Sequence, residues 1–281
     1  MHEELNNLLI NCVQSFLLGI IQGFTEFLPI SSTAHLKVVP YFLGWNDPGV
    51  SISASLQLGS VFAIFLYFRD QIFVIIKSIS CIFIHRNLFL DENTRLTTYI
   101  LVASLPIVVV GFFIKLFWPD YVTSNYRGLF SIAVVSIAMS FLLAISEIYG
   151  VRKKSFSGIK LRDMVLIGFS QSLAIIPGVS RSGVTLTAAL LAGIERQTAA
   201  RLSFLVGIPA ILLSGSIEFF SLYHVSSKLE ILPTIIGIIS SFFSSIIAID
   251  FLLKFLAKNN TFIFVYYRLA FGVFILSTLI S

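Results

Sequence analysis

Six apolar runs limit what this chain can become. They lie at about 51–68, 97–117, 128–148, 201–221, 231–253 and 261–281, and each is long enough to carry an α-helix across a bilayer's hydrocarbon core. No water satisfies backbone N–H and C=O groups there, so only helices or closed barrels can cross. None of the runs alternates polar and apolar residues as a barrel strand does, so all six read as helices. Composition agrees, with 57% of the 281 residues hydrophobic and only 12% charged. These features exclude a soluble domain and predict an all-α polytopic membrane protein. The net charge of +5 sits in short loops, where topology accounts for it, so no nucleic-acid partner is expected. Cys12 and Cys81 lack metal-ligand spacing and read as isolated buried thiols.

Two further regions, 8–43 and 163–193, fit poorly as single crossings. Each carries a proline, glycines and a polar cluster at mid-length. Each is expected to be a re-entrant helical hairpin, since irregular backbone at membrane depth must be buried in protein or line a wet cavity. The short segment 72–84 reads as interfacial. The two hairpins resemble each other: Gly19-Ile20-Ile21-Gln22 matches Gly168-Phe169-Ser170-Gln171, with prolines following at Pro29 and Pro177 and serines at Ser31, Ser32 and Ser180. Three spans separate the copies, so the second half is upside down. The chain is therefore expected to be one membrane domain made of an inverted repeat, residues 1–150 and 151–281, with a site where the broken helices meet.

Basic residues fix an expected orientation. Arg152, Lys153, Lys154, Lys160 and Arg162 crowd one loop, and Arg69, Lys77, Arg86 and Arg95 lie on the same side. The opposite loops carry little: Asp120 with Arg127, and Lys228 with Glu230. The positive-inside rule then puts both termini outside and opens the first hairpin outward.

The hairpins carry the chemistry. Gln22, Thr25, Glu26 and Pro29 share one helix face, so Glu26 points at a protein cavity rather than at lipid. Ionisable groups at membrane depth are costly, which marks Glu26 as functional. Pro29 stops the first helix, and Ser31 or Ser32 can cap the next. His35 follows within one helical turn of both serines, near enough to activate a hydroxyl nucleophile. In the second hairpin Ser180 caps a helix and Arg181 stands in its first turn. A cation there is misplaced unless an anion lies between it and the free N–H groups. Arg181 shares a face with Thr185, and a guanidinium suits phosphate. Gln57 reads either as cavity lining or as helix packing. Glu147, Arg201 and Glu218 read as interfacial, Asp250 and Lys254 as an ion pair, and Arg268 as a snorkelling residue at the start of the last span.

With these residues the sequence resembles the undecaprenyl-diphosphate phosphatase family, the bacitracin-resistance phosphatases of bacteria. The matching stretches are Gly23-Phe24-Thr25-Glu26-Phe27-Leu28-Pro29-Ile30-Ser31-Ser32-Thr33-Ala34-His35 and Pro177-Gly178-Val179-Ser180-Arg181-Ser182-Gly183. The resemblance implies a bacterial plasma-membrane enzyme that removes the terminal phosphate of undecaprenyl diphosphate. Its product is the carrier lipid of peptidoglycan synthesis. The family often has a second glutamate four residues before the one at Glu26, and here that place is Gln22. A two-carboxylate metal site is thereby reduced to one carboxylate, which still suffices for a divalent cation held largely by substrate phosphates. Another membrane lipid phosphatase family needs a histidine shortly after its arginine, and none follows Arg181 until His224.

The expected mechanism has Arg181 and the helix N-termini, with Ser31, Thr33, Ser180, Ser182 and Thr185, binding the phosphates. Ser32, activated by His35, attacks phosphorus, or His35 activates water. Glu26 orients His35 or holds a divalent cation, Mg²⁺ or Ca²⁺. Gln22, Thr25 and Gln57 support the site. Undecaprenyl diphosphate and membrane lipids are the expected partners, with a homodimer left open. The site is expected to face the outer side. A lipid-phosphate flippase or anion transporter of the same architecture is the alternative.

Overall fold

A computed structural model describes residues 2–47, 49–118, 121, 127–225 and 228–280. The side chains of Glu218, Lys228 and Glu230, and Asp120 altogether, lie outside what it describes. Eleven α-helices make up the described chain: α1 (His2–Phe27), α2 (Ser32–Leu43), α3 (Gly49–Tyr67), α4 (Arg69–His85), α5 (Glu92–Phe117), α6 (Leu129–Tyr149), α7 (Leu161–Ser172), α8 (Arg181–Leu191), α9 (Arg196–Val225), α10 (Lys228–Lys258) and α11 (Phe262–Ile280). No strand forms among the described residues. The chain is an all-α, multi-pass membrane protein. Many large apolar side chains, among them Phe112, Phe169 and Phe243, stand exposed on its outer surface, where lipid covers them.

Six helices are long and apolar enough to cross a membrane, and their membership differs from the sequence expectation. The runs in α5, α6, α9, α10 and α11 are as expected. The sixth is α1, whose 26 residues run unbroken to Phe27. Its polar residues Gln14, Gln22 and Glu26 all stay within helical geometry, and the break comes only before Pro29. The first hairpin is therefore lopsided, with α2 only 12 residues long. The run at 51–68 becomes α3, which turns by 86° into α4. The turn follows Phe68 and places the expected interfacial segment across the end of the bundle. The second hairpin matches expectation: two short helices, α7 and α8, joined through a 3₁₀ turn at Leu173–Ile175 and the Pro177-Gly178 corner.

Helix pairing follows one pattern in both halves. α1 packs on α10 as α7 packs on α5, and α3 packs on α10 as α9 packs on α5. Across the middle α3 meets α9, and α6 meets α11. The contacts are close because small residues face backbone. Gly19 lies against the Gly237 carbonyl of α10, and its counterpart Gly168 lies against Ala103 of α5. Within lipid, dispersion and short interhelical hydrogen bonds replace the hydrophobic effect as the force between helices. Ser60 bonds Ser241 and Ser245 between α3 and α10, and Ser104 of α5 donates to the Val206 carbonyl of α9. The main core joins both hairpins to α9: Phe27, Leu186 and Phe204 are buried together, with Phe27 and Phe204 edge to face at 5.1 Å. Phe27 thus points into protein.

At the loop end expected to be cytoplasmic, Glu147 is buried rather than interfacial. It accepts hydrogen bonds from Arg152, Arg196 and Thr261 and ties α6, α9 and α11 together. Asp250 and Lys254 form the expected pair at 2.7 Å. Cys12 and Cys81 are free thiols, each half-buried rather than buried.

Candidate active site

The two hairpin turns end in the same local structure. Ser31 has φ 78° and ψ 100°, and Ser180 has φ 69° and ψ 113°. Positive φ is uncommon for a residue other than glycine and costs about 1–3 kcal/mol, so such strain tends to persist at functional sites. Each serine caps its helix, Ser31 accepting from the Ala34 N–H and Ser180 from the Gly183 N–H. Each lies 3.2 Å from the hydroxyl two residues on, Thr33 and Ser182 respectively. The strained cap aims the first-turn N–H groups of α2 and of α8 into one space.

That space is a cavity of about 470 Å³. Its polar wall holds Glu26, Ser31, Ser32, Thr33, Ser180 and Arg181, with Gln57 farther out beside Ser214. Of the phosphate-binding and catalytic residues expected from sequence, these line the cavity. At its centre stands the Glu26 carboxylate. One oxygen accepts from Ser32 at 2.7 Å and Gln22 at 2.9 Å, and the other from Arg181 at 3.1 Å. All four residues are buried or nearly so. The Arg181 guanidinium also donates to the Ser203 carbonyl at 2.9 Å, while its Nε–H is buried with no partner. Gly207 of α9 makes this position available, because a methyl group there would overlap the guanidinium.

The remaining candidates stand behind this wall. Gln22 holds Glu26 from below. Thr25 turns back to the Ile21 carbonyl of its own helix. Ser182 reaches across to the Leu28 carbonyl and stitches one hairpin to the other at 3.1 Å. Thr185 bonds the Arg181 carbonyl and the Ser203 hydroxyl, which steadies the arginine.

His35 is placed differently from expectation. Its Nδ1 lies 2.7 Å from the Ser31 carbonyl, which can only accept, so Nδ1 carries the proton. Nε2 then accepts from the Tyr267 hydroxyl at 2.6 Å. The ring stacks on Phe271 at 4.4 Å. Both nitrogens are engaged away from Ser32, whose partner is Glu26. Helical spacing allowed a Ser32–His35 contact, but the Ser31 carbonyl, which also accepts the His35 backbone N–H, captures the imidazole.

Sequence reading missed Arg268. It is 1% exposed and does not snorkel. It donates to the Pro29 carbonyl at 3.0 Å, the Gly178 carbonyl at 2.6 Å and the Ser136 carbonyl at 3.4 Å. One buried guanidinium thus pins both hairpin corners. A clue lay in the neighbouring Tyr267: an arginine two turns inside an apolar span is too deep to reach water.

The donor set for a metal is sparse. Glu26 is the cavity's one carboxylate, and no group of three or more His, Cys, Asp or Glu side chains gathers among the described residues. A cation here would depend on ligands brought by the substrate.

Known proteins resemble the chain over nearly its whole length. Residues 15–274 match the family model described as bacitracin resistance protein BacA. The undecaprenyl-diphosphatase of Prochlorococcus marinus strain NATL1A is 66% identical over 99% of this chain and 100% of that one. Proteins of the same name from P. marinus strain MIT 9313 and Synechococcus sp. strain CC9311 are 50% and 48% identical, over 98% and 94% of this chain.

Proposed function

The chain belongs to the BacA bacitracin resistance family, and from that membership together with the site we infer that it hydrolyses undecaprenyl diphosphate to undecaprenyl phosphate and inorganic phosphate. The protein is a phosphatase of a membrane lipid, and its family links it to bacitracin resistance. The observation that carries the mechanism is the Ser32–Glu26–Arg181 chain at the meeting point of two helix N-termini.

Arg181 and the N–H groups at the starts of α2 and α8 bind the terminal phosphate. The Ser32 hydroxyl gives its proton to Glu26 as its oxygen attacks the terminal phosphorus. The P–O bond to the lipid phosphate breaks, and undecaprenyl phosphate leaves with the bridging oxygen. Glu26 passes the serine's proton to the departing lipid phosphate, so that water can give its own proton to the same carboxylate as it attacks the phosphoserine. The Ser32 oxygen takes that proton back as its bond to phosphorus breaks, and inorganic phosphate departs. Phosphoryl transfer requires mainly positioning and charge neutralisation, and a largely apolar cavity strengthens both. The closeness of Ser32 to Glu26 supports Ser32 as nucleophile. The engagement of both His35 nitrogens supports a positioning part for that ring. A divalent cation, Mg²⁺ or Ca²⁺, would be held by Glu26 and the phosphate oxygens, and would supply further charge neutralisation.

The two halves form an inverted repeat, a reading supported by the exchangeable helix pairings and the twin strained caps. The cavity opens toward the ends of α5 and α9 that precede the loops poor in basic residues, which supports an outer-facing site. The same architecture suits a carrier of anions. Phosphate release by detergent-purified protein decides between the two, since micelles have no compartments and a carrier would release none. A chelator arm tests the cation: loss of turnover restored by Mg²⁺ or Ca²⁺ supports it, and unchanged turnover removes it.

A further inference from the structure

Lys115 lines the same cavity as Arg181 and Glu26, and the mechanism above leaves it idle. We propose that Lys115 captures the second phosphate of the incoming lipid, so that the site takes a lipid diphosphate in preference to the monophosphate it produces. The proposal deepens the hydrolase reading and rests on it.

The cavity has a direction. Ser104 of α5 donates to the Val206 carbonyl of α9 at 3.1 Å, which sets the two helices level. The Arg181 guanidinium lies at that level, against Ser203 and Gly207. From there the walls run outward along both helices, through Ile107, Val108, Gly111 and Phe112 to Lys115, and through Ala210 and Leu213 to Ile217. Lys115 thus stands about 16 Å beyond Ser104 at 1.5 Å per residue. Helical side chains lean toward the N-terminus, so Lys115 leans back along the cavity toward Arg181. Gly111, one turn below it, has nothing within 4 Å of where a Cβ would stand, so this stretch of the path is open. Phe112 and Leu213 line the cavity yet are 64% and 48% exposed, so an apolar tail can pass between them into lipid.

Charge points the same way. The charged groups on the cavity wall are Glu26, Arg181 and Lys115. Glu26 and Arg181 neutralise each other, and Lys115 has no ion-pair partner among the described residues. The wall therefore carries one uncompensated positive charge, at the mouth, where a headgroup first arrives. An ammonium is a compact point charge that binds phosphate without demanding a fixed angle. The flexible Lys115 stem, leaning back along the cavity, brings the ammonium toward the outer phosphate of a diphosphate seated at Arg181, whereas a monophosphate there lies deeper and gains little from it. The opposing explanation is a lysine near Phe117 and Trp118 that merely snorkels to the interface. That lysine would be indifferent to which lipid is present.

The test is equilibrium binding of radiolabelled undecaprenyl diphosphate and undecaprenyl phosphate to detergent-purified Ser32→Ala protein, with and without Lys115→Gln. We expect Lys115→Gln to weaken diphosphate binding about tenfold, the scale of one charge-assisted contact, and to change monophosphate binding by no more than about twofold. Lys115→Arg restores the preference. With Ser32 intact, the same loss appears in KM rather than in kcat. Equal weakening for both lipids, or none for either, overturns the proposal. The hydrolase reading fails by a different result, the absence of phosphate release from unaltered protein, and the binding comparison still decides the part of Lys115.

Discussion

Replacing Arg268 separates stability from function in a way the site's geometry makes calculable. Arg268→Met removes the donors to Pro29 and Gly178, and the two orphaned corner carbonyls cost about 1–3 kcal/mol each. Against this, the substitution lifts a cation out of a setting with no carboxylate partner among the described residues, and relief of that desolvation is worth several kcal/mol. The two effects oppose each other, so the net change in stability is expected to be small, within about 3 kcal/mol either way. Function has no such offset. The corners Pro29 and Gly178 carry Ser31, Ser32, Ser180 and Arg181 immediately after them, and a shift of about 1 Å between reacting groups costs about 100-fold in rate. Arg268→Met should therefore keep its unfolding midpoint in graded SDS titrations while phosphate release falls about 100-fold. If the methionine variant does not fold, Arg268→Lys retains the charge with one donor point and serves the same comparison. Turnover within about fivefold of the unaltered protein in a folded variant would refute the pin.

The remaining expectations use the same assays. Gly207→Ala places a methyl where the Arg181 guanidinium lies, so its turnover should fall to that of Arg181→Ala, and a near-normal rate would show that the arginine works from another position. Glu26→Gln and Arg181→Ala should each abolish turnover. Their coupling on stability in a double-mutant cycle should exceed about 2 kcal/mol, because removing one partner strands a buried charge; additivity would count against a direct pair. Ser32→Ala should bind substrate but release no phosphate, and unaltered protein denatured in SDS during turnover should carry phosphoserine detectable by mass spectrometry. Phosphohistidine in that experiment would transfer the nucleophile's part to His35. Tyr267→Phe deletes one hydrogen bond to a positioning ring and should keep a tenth or more of the rate, whereas a loss as deep as that of Ser32→Ala would make the imidazole a proton carrier.

Much of this site could be read before any coordinates because membrane physics makes polar residues conspicuous. Glu26, Ser31, Ser32 and Arg181 stand out against hydrocarbon, and Pro29 and Pro177 announce broken helices. What sequence could not supply was partner choice within reach. Ser32 has both Glu26 and His35 within plausible distance. Only the hold of the Ser31 carbonyl on one ring nitrogen of His35 and of the Tyr267 hydroxyl on the other assigns the Ser32 hydroxyl to the carboxylate. Arg268 and Gly207 stayed hidden for another reason. Each acts on groups more than 20 positions away in sequence, on Pro29 and Gly178 or on Arg181, so no local pattern carries the signal. The lopsided first hairpin was obscured because Gln22 and Glu26 look like a break, yet both are good helix formers and the backbone does not turn until Pro29.

The charges of the site explain why this arrangement suits an anion in transit. Two helix N-termini and a guanidinium converge, each favouring negative charge. One carboxylate stands against them: Glu26 accepts from Arg181 with one oxygen and from Ser32 with the other. An arriving phosphate brings more negative charge than Glu26 and can take over Arg181, whose Nε–H already has no partner. Glu26, released from the guanidinium, would still be bonded to Ser32. On the proposed mechanism the ion pair is a placeholder whose displacement couples binding to activation. The Gln22 amide steadies Glu26 by donating to it and adds no charge.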